Sequence, residues 1–367
     1  MAPAISRRIL QVISPSHMSG AEMQLVRLTK QMQARGHLLH TCSKKGSSAN
    51  EEFRVRGIDA EPLSIGGKFS LTAVPSLAAA ARRHKAELIQ STLSSASWWS
   101  GWLETFGGPP SVGHVQGFTS AAWHRRQSHL IAVSQAVKDD MVAQGIAAER
   151  ITVMHNALAP EEFVPKRAPL DVRMEFGADA RTPVIGTFGH LSEKKGYRDL
   201  FPAIPQVLKQ FPTAQFWVIG VGKLREELEE YARANGFLGQ VRFTGYRRDA
   251  ADLMGAIDIM CLPSHREPCA LVYVEAALSE KPIVACRAGG APESIADGET
   301  GLLVPVKNSD AIAVAIKTLL DNRDRAIAMG KAGRTRALEI FGWDRCIQTL
   351  ESIWTRVLDE RRSRKAA

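Results

Sequence analysis

Two glutamates frame a short segment in the last third of the chain, 267-EPCALVYVE-275. Seven residues separate Glu267 from Glu275, and Pro268 directly follows the first acid. Proline is favoured at the first position of a helix, where the N–H that it lacks would have no partner. The segment therefore predicts a helix that opens at Pro268, carries Glu275 and leaves Glu267 just outside. A rise of about 1.5 Å per residue would place the acids roughly 10 Å apart, which favours two ends of an extended ligand over a close catalytic dyad.

The start of that helix, around residues 269–271, would present backbone N–H groups without helical partners. The positive end of the helix dipole attracts anions, and the free N–H groups can bind them. A diphosphate between the two acids would be received there. The alternative is one surface acid and one helical acid without a common ligand.

Two polar loops also lead from a predicted strand into a predicted helix. The loop 14-SPSHMSG-20 ends at Gly20, where the backbone can come close to an anion. In 186-GTFGHLSEKKG-196, Lys194 and Lys195 can supply positive charge to a phosphate. Neither loop matches G-x-G-x-x-G, so a nicotinamide cofactor is not expected. Plain turns with solvated lysines are the alternative interpretation.

His114 lies near the end of a predicted strand, 112-VGHVQG-117, with Gln116 close behind it. Ligands of open α/β sheets bind outside the carboxyl ends of the strands. His114 is therefore a candidate site residue, and a purely structural histidine is the alternative.

Motifs for metal and nucleophilic chemistry are missing from the sequence. It contains no D-x-D triplet, no H-E-x-x-H, no Cys/His cluster with ligand spacing and no G-x-S-x-G elbow. We accordingly predict no metal site and no cofactor. The five cysteines are scattered and odd in number, which is typical of a reduced, cytosolic protein without a disulfide framework.

Short β-rich runs alternate with amphipathic helical patterns, which predicts parallel sheets covered on both faces. The predicted strands are 8–14, 37–42, 87–92, 112–117, 129–134 and 151–156 in the first half, and 183–189, 214–222, 241–245, 257–264, 282–286 and 301–306 in the second. A proline-rich stretch, 159-APEEFVPKRAP-169, separates the two series. We predict an α/β fold of two doubly wound parallel-sheet domains, residues 1–165 and 170–344, with a last helix at about 345–367 returning to the first domain.

Length and charge narrow the class of protein. A chain of 367 residues is too long for one core and suits two domains. The formal charge of +9 suits phosphate-bearing ligands or an anionic membrane surface. It is not concentrated in a patch with interleaved aromatics, so nucleic acid is not an expected partner. The N-terminal apolar run, 9-ILQVI-13, is too short for a signal peptide.

One helical segment, 96-ASWWSGWLETF-106, has three tryptophans, a leucine and a phenylalanine on one side. Such a stripe is typical of core packing. The alternative is an interfacial surface, favoured by the neighbouring 123-WHRRQSH-129 and the basic tail after residue 358. On that alternative the protein is peripheral on the inner face of the cell membrane.

Taken together in order, the motifs resemble retaining glycosyltransferases of family 4, the glycosyl transferases group 1, which have the GT-B fold of two Rossmann-like domains facing across a cleft. The matching segments cover nearly the whole chain: 19-SGAE-22, 114-HVQG-117, 130-LIAVSQAV-137, 155-HNA-157, 186-GTFGHLSEKKG-196, 219-IGVGKLREEL-228, 267-EPCALVYVE-275 and 281-KPIVACRAGGAPESIADGETGLLVP-305. The resemblance implies that the second domain binds a nucleotide-diphosphate sugar, with a UDP-sugar expected, and that the first binds the acceptor.

The resemblance also implies roles for individual residues. Glu275 would hold the ribose hydroxyls, Glu267 would lie beside the donor sugar, and Lys195 would neutralise the diphosphate. His114 would reach the donor sugar or the incoming hydroxyl. The remaining donor contacts are implied for Gly20, His190 and the backbone amides of Cys269, Ala270 and Leu271.

Two positions depart from the family pattern. His190 stands where the family usually has arginine, and 269-CA-270 stands where phenylalanine–glycine is usual. A neutral imidazole supplies less charge than a guanidinium, and alanine adopts a left-handed backbone less readily than glycine.

The resemblance implies a retaining, metal-independent glycosyltransferase that acts on a saccharide or lipid-linked glycan in cell-surface polysaccharide or lipopolysaccharide synthesis. Two alternatives are a catalytically silent sugar-nucleotide-binding subunit, suggested by the two departures, and a two-lobed nucleotide-sugar epimerase.

Overall fold

The structure is a computed structural model and describes residues 5–18, 20–269 and 271–366. The chain divides into two compact units. The first comprises Met1–Ala157 together with Trp343–Ala367, and the second comprises Leu158–Gly342.

The first unit is built on a seven-stranded parallel sheet in the order β3-β2-β1-β4-β5-β6-β7. Its strands are β1 (Arg8–Ile13), β2 (Leu38–Lys44), β3 (Ala60–Leu63), β4 (Leu88–Thr92), β5 (Ser111–Val115), β6 (His129–Ala132) and β7 (Ile151–Val153). Its helices before residue 158 are α1 (Gly20–Ala34), α2 (Ala49–Val55), α3 (Ala73–Arg83), α4 (Ser94–Thr105) and α5 (Gln135–Ala143). The order reverses at β1 and β4, as in doubly wound folds.

Neighbouring residues of the central strands pack into different cores, because side chains alternate across a strand. Ile9 and Leu88 join one buried apolar cluster, whereas Leu10 and Ile89 join another. All residues of β4, β5 and β6 are buried. Both faces of the sheet are therefore covered, as the nearly continuous apolar strands predicted.

A helix from the end of the described chain, α14 (Trp343–Ala366), completes one of these cores. Leu350 and Trp354 are almost fully buried in the same cluster as Ile9. The Trp354 indole N–H donates to Gln90 Oε1 at 3.1 Å. Glu351 lies 3.0 Å from His37 Nε2.

The second unit contains a six-stranded parallel sheet in the order β10-β9-β8-β11-β12-β13. Its strands are β8 (Val184–Phe188), β9 (Gln215–Ile219), β10 (Val241–Gly245), β11 (Ile259–Leu262), β12 (Ile283–Cys286) and β13 (Gly301–Val304). Its helices are α6 (Pro169–Glu175), α7 (Tyr197–Leu208), α8 (Arg225–Ala234), α9 (Ala250–Ala256), α10 (Leu271–Leu278), α11 (Ala291–Ser294), α12 (Ser309–Asp321) and α13 (Arg323–Phe341). One large apolar cluster fills this unit.

The predicted α/β fold with two parallel-sheet, Rossmann-like domains is confirmed. Each predicted strand overlaps an observed one, and β3 was not predicted. The predicted linker at 159–169 lies in the second unit and contains a 3-10 turn at Pro160–Phe163. Among the helices of the described residues, none combines the length and apolar character that crossing a membrane requires.

Candidate functional site

Lys195 and Glu267 form an ion pair in the second unit. Lys195 Nζ lies 2.5 Å from Glu267 Oε2, and the exposed fractions of the two side chains are 18% and 8%. The sequence proposed both as site residues without predicting their contact. A largely desolvated ion pair with charge-assisted hydrogen bonding is a strong interaction, so each side chain fixes the position of the other.

A tight turn after β8 positions Lys195. A 3-10 turn, Glu193–Lys195, precedes Gly196, which has a left-handed backbone (φ +72°) and stands directly before α7. A Cβ at Gly196 would lie 1.9 Å from the carbonyl oxygen of Pro263. Only glycine fits both the backbone angle and the space, and the turn thus holds Lys195 against the chain that follows β11.

Two glycines after β12 position Glu267. The Gly290 N–H donates to the Glu267 carbonyl oxygen at 2.7 Å. Gly289 has φ +56°, and a Cβ there would lie 2.0 Å from the same oxygen. The sequence analysis quoted this Gly-Gly pair within a family segment but gave it no role. Its signal was the pair itself, since adjacent glycines after a strand indicate a close backbone approach.

Helix α10 begins later than predicted. Pro268 and Cys269 are not helical, and α10 starts at Leu271, so Pro268 does not open the helix. Cys269, Leu271 and Glu275 are all partly buried. Ala270 lies outside the described residues. Glu275 consequently sits just past the first turn of α10, closer to its start than the sequence analysis assumed.

A second acid–base pair lies near Lys195 along the chain and was missed by sequence reasoning. The ring nitrogen Nε2 of His265 contacts Asp199 Oδ2, and the backbone N–H of His265 donates to the Lys194 carbonyl oxygen at 2.9 Å. These contacts join the start of α7 to the segment that carries Glu267. Sequence spacing gave no signal for them, because 66 residues separate the partners.

His190, expected to contact the donor, is exposed on the loop after β8. Its neighbour Gly189 is fixed by hydrogen bonds on both sides: its N–H donates to the Ile219 carbonyl at 3.0 Å, and its carbonyl accepts from Tyr197 Oη at 3.1 Å. The loop backbone is therefore well determined, while the imidazole of His190 is accessible to a ligand.

In the first unit, His114 is almost fully buried at the end of β5. Burial lowers the pKa of its imidazole to about 4. Gln116 Nε2 lies 3.1 Å from His114 Nε2, and Asn156 Nδ2 donates to Gln116 Oε1 at 2.8 Å. Burial keeps the ring neutral near pH 7, and this polar chain orients it. The contribution of Asn156 was not predicted.

Gly20 is the exposed first residue of α1 in the same unit. The loop before it is anchored where Ser14 Oγ accepts a hydrogen bond from the Ala96 N–H at 3.1 Å. That bond joins the loop after β1 to the start of α4. The two segments lie close because they follow β1 and β4, which are adjacent strands of the sheet.

The tryptophan segment is divided between core and surface. Trp99 and Leu103 are buried in an apolar cluster with α3. Trp98 and Trp102 are partly buried and pack against the same cluster, whereas Phe106 is exposed. Together with Lys68, Trp123 and Arg126 they form what we call the aromatic–basic surface. Arg126 lies 3.9 Å from the centre of the Trp102 ring, and Lys68 Nζ lies 4.3 Å from that of Trp123, both within cation–π range.

Chemically, the second unit can bind a diphosphate. It offers an oriented ammonium on Lys195, the N-terminal end of α10, and glycine turns that leave the backbone accessible. The first unit offers a neutral, oriented imidazole.

Two family models match the chain. "Glycosyltransferase Family 4" matches residues 18–162, and "Glycosyl transferases group 1" matches residues 182–322. Together they cover most of both units.

Curated relatives include a D-inositol 3-phosphate glycosyltransferase of Corynebacterium kroppenstedtii, which is 34% identical over 237 residues, or 61% of this chain and 52% of the relative. A GDP-mannose-dependent alpha-(1-6)-phosphatidylinositol monomannoside mannosyltransferase of Mycolicibacterium smegmatis is 34% identical over 181 residues, 47% of each chain. The chain thus spans about half the length of these relatives.

Among solved structures, the Anabaena protein HepE, determined in complex with UDP, superposes with a TM-score of 0.86. The match covers 95% of this chain and all of that one at 24% identity. At this identity the likeness concerns the fold, which is GT-B.

Proposed function

Since the chain belongs to the family 4, group 1 glycosyltransferases, we propose that it transfers a sugar from a nucleotide-diphosphate sugar to a hydroxyl of a saccharide or lipid-linked glycan. The reaction retains the anomeric configuration and uses no metal ion. A UDP-sugar is the first candidate donor, and a GDP-sugar is the second because of the donor named for one relative.

The observation that carries this proposal is the buried Lys195–Glu267 pair beside glycine turns and the start of α10. A buried ammonium aimed by a carboxylate suits an anion that gains charge during a reaction. The turns keep side chains away from the backbone at the same place, which suits the close approach of a phosphate.

In the proposed reaction the bond between the anomeric carbon and the diphosphate oxygen breaks, and its electron pair leaves with the diphosphate. Lys195 and the N–H groups before α10 stabilise this charge. The acceptor oxygen bonds to the anomeric carbon from the same face, and its proton passes to the departing phosphate. Glu267 orients Lys195 and lies beside the donor sugar, while Glu275 binds the ribose.

His114 is assigned to the donor sugar or the acceptor hydroxyl. Its pKa of about 4 leaves the ring neutral near pH 7, so it accepts or donates a hydrogen bond without adding charge.

A thermal-shift screen against UDP-, GDP- and ADP-sugars tests donor binding, because a bound ligand stabilises the native state by mass action. We expect one nucleotide series to raise the Tm and the Glu275→Gln variant to lose most of the shift. The exposed Glu226→Gln, also at the start of a helix, is the matched control. No shift with any nucleotide sugar would contradict the proposal.

Product analysis distinguishes the transferase from two alternatives, the silent subunit suggested by His190 and 269-CA-270 and the nucleotide-sugar epimerase. A transferase hydrolyses or transfers the donor sugar with release of nucleoside diphosphate, and the anomeric configuration is retained. A silent subunit binds the donor without turnover, and an epimerase converts it without release. Full turnover in chelator would support the metal-independent step, whereas loss restored by a divalent cation would contradict it.

For acceptor delivery we propose that the aromatic–basic surface contacts an anionic membrane. Phe69 and Leu71, next to Lys68 in sequence, are almost completely exposed, as is most of Phe106. Aromatic and aliphatic side chains beside cations suit the interface of anionic lipids. The role in lipopolysaccharide or surface polysaccharide synthesis depends on this contact.

Sedimentation with vesicles tests the contact. We expect binding to vesicles containing phosphatidylglycerol at low salt, little binding to phosphatidylcholine, and weaker binding of a Phe69→Ser/Leu71→Ser variant. The matched control, Val314→Ser on α12 of the second unit, removes another exposed apolar side chain. Equal binding by variant and parent would overturn the assignment.

A further inference from the structure

Four side chains of the first unit converge at the β3 edge of its sheet. Strand β2 supplies His40 and Cys42, β3 supplies Glu61, and the residue after α3 is His84. None of them belongs to the proposed transfer site. The ligand atoms of His40, Cys42 and Glu61 all lie within 4.8 Å of one another.

The register of the sheet explains this convergence. Cys42 is the parallel partner of Glu61, so their side chains lie side by side on one face. His40 is two residues before Cys42 and shares that face, because successive side chains alternate. Helix α3 packs on the face where Cys42 is buried and ends at Arg83, directly before His84.

One oxygen of the Glu61 carboxylate binds an arginine, and the other faces two imidazoles. Its Oε1 accepts from Arg83. Its Oε2 lies 3.1 Å from His40 Nε2 and 3.6 Å from His84 Nε2. The two rings are nearly parallel, with centroids 3.3 Å apart. The imidazole of His40, one carboxylate oxygen of Glu61 and the thiol of Cys42 thus surround one small region, and the His84 ring stacks on His40 beside it.

We propose that this cluster is a Zn²⁺ site with His40, Cys42 and Glu61 as ligands and His84 as the fourth. Zinc takes four nitrogen, sulfur and oxygen ligands at about 2.0–2.3 Å, so ligand atoms lie within a few ångströms of one another. The imidazole–thiolate–carboxylate set suits zinc and not magnesium or calcium. On binding, the Cys42 S–H bond breaks, the sulfur bonds to the metal, and the proton leaves to solvent.

The exposure of the side chains would let a cation reach the site, and a bound metal would stabilise the edge of the sheet. The side chains of His40, Glu61 and His84 are 28%, 25% and 34% exposed, whereas Cys42 is fully buried, so a cation can enter from the solvent side and meet the sulfur beneath. The metal would tie the short edge strand β3 to β2 and to the end of α3. An edge strand fixed in this way is less available for pairing with other chains.

The absence of Cys/His ligands at short spacings predicted no metal site. The proposed ligands lie on three elements, and Glu61 belongs to the one strand that was not predicted. The site is independent of the proposed sugar transfer, since its test uses neither donor nor acceptor.

Cobalt substitution tests the site. The protein is stripped with chelator, kept reduced with a phosphine, and titrated with Co²⁺. We expect stoichiometric binding with a thiolate-to-cobalt charge-transfer band and intense tetrahedral visible bands, both abolished by Zn²⁺. The Cys42→Ser variant should lose the charge-transfer band, and His40→Gln should weaken binding by more than the roughly 10- to 100-fold of a lost outer partner.

Two further variants keep the test decisive. Cys346→Ser removes another buried thiol of the same unit and should leave the spectrum unchanged. If Cys42→Ser does not fold, the half-exposed His40→Gln and Glu61→Gln carry the test. Absence of a charge-transfer band in the parent protein, or a band that persists in Cys42→Ser, would overturn the proposal, as would undiminished affinity in both His40→Gln and Glu61→Gln.

Discussion

At the scale of single residues, the Lys195–Glu267 contact both stabilises the fold and prepares the site. Desolvating an ion pair costs free energy, which the attraction between the partners offsets only while both are present. Glu267 lost most of its contact with water on folding, so it depends on Lys195. A bound diphosphate would share the ammonium with Glu267.

A double-mutant cycle measures that dependence. We expect Lys195→Met to destabilise the second unit by about 3–5 kcal/mol, because it leaves a buried carboxylate without its cation. Adding Glu267→Gln should recover part of that loss, since the amide carries no charge. Denaturant unfolding followed by the fluorescence of Trp217, the sole tryptophan in residues 158–342, checks the prediction. Additive costs of the two substitutions would contradict it.

At the scale of elements, close backbone contacts between turns hold the site, and glycines make those contacts possible. Gly196 meets Pro263 after β11, and Gly289 meets Glu267. The turns that follow β8, β11 and β12 are thereby locked together at the carboxyl ends of these neighbouring strands of the second sheet. Adding a methyl group at either glycine would move the site residue next to it.

Gly289→Ala should abolish donor-induced thermal shifts and lower stability by more than the roughly 1–2 kcal/mol of a left-handed alanine. The excess arises because the new Cβ would meet the Glu267 carbonyl oxygen at 2.0 Å. Gly298→Ala is the matched control, with φ +81° and no described atom within 4 Å of the added Cβ. In the control, denaturant unfolding should show only the loss of stability that backbone strain causes, and the nucleotide screen should show unchanged thermal shifts. Equal effects of the two substitutions would refute the role of Gly289.

Helix α14 packs on the first sheet through several buried side chains, of which Trp354 is the largest. Trp354→Ala should destabilise the first unit by about 3–5 kcal/mol through the cavity that it leaves. Trp354→Phe retains most of the apolar volume and should cost much less, chiefly the hydrogen bond to Gln90, about 1 kcal/mol. Amide hydrogen exchange of α14 and β4 distinguishes the two variants, because protection should fall much more in Trp354→Ala than in Trp354→Phe. Unchanged protection in Trp354→Ala would exclude the anchoring role.

Elements with strong patterns were predictable, and elements defined by long-range contacts were not. Short apolar runs such as 9-ILQVI-13, alternating with amphipathic helical patterns, indicate buried parallel strands, so most strands of both sheets could be predicted. Strand β3, AEPL, is short and contains a proline and a glutamate, which are tolerated only because it lies at an edge. The start of α10 was misplaced because a proline such as Pro268 suits the bend before a helix as well as it suits the first helical turn.

The same division applies to the candidate site. Lys195, Glu267 and His114 were proposed as site residues from charge, spacing, strand ends and the family resemblance. Their partners were missed where the contact is made by the backbone or by a distant residue, as with Gly289 and Asp199. Periodicity describes a single element, whereas these contacts depend on how several strand ends are arranged.

At the scale of the whole molecule, the histidines are unequally distributed. Eight of the ten lie before residue 166, and four of these, His37, His114, His124 and His129, are buried in the first unit. Burial lowers the pKa of His114, His124 and His129 to about 4, and nearby arginines and a lysine add to this effect at His129.

The sign of the resulting pH dependence follows from proton binding. Between pH of about 6.5 and about 4, the unfolded histidines are protonated and the folded ones are not. Protons therefore favour the unfolded state, and stability falls as the pH drops through that window. Above it, the histidines contribute no pH dependence.

His114, His124 and His129 should each steepen the fall in the free energy of unfolding by up to about 1.4 kcal/mol per pH unit. We expect His124→Leu to reduce the slope between pH 6 and 5 by nearly this amount, since leucine binds no proton. Denaturant unfolding of the first unit at several pH values measures the slope. The exposed His17→Leu is the control and should leave it unchanged, and an unaltered slope in His124→Leu would contradict the assignment.

Helix α14 also sets an order of events during synthesis. Residues 158–342 form a continuous stretch whose core needs no later sequence. The core around Ile9 is complete only when Trp354 has been translated. On the ribosome, the second unit can mature while the first still exposes the apolar face of its sheet. For that interval the nascent chain presents a natural binding site for chaperones, and a premature stop before α14 would make the exposure permanent.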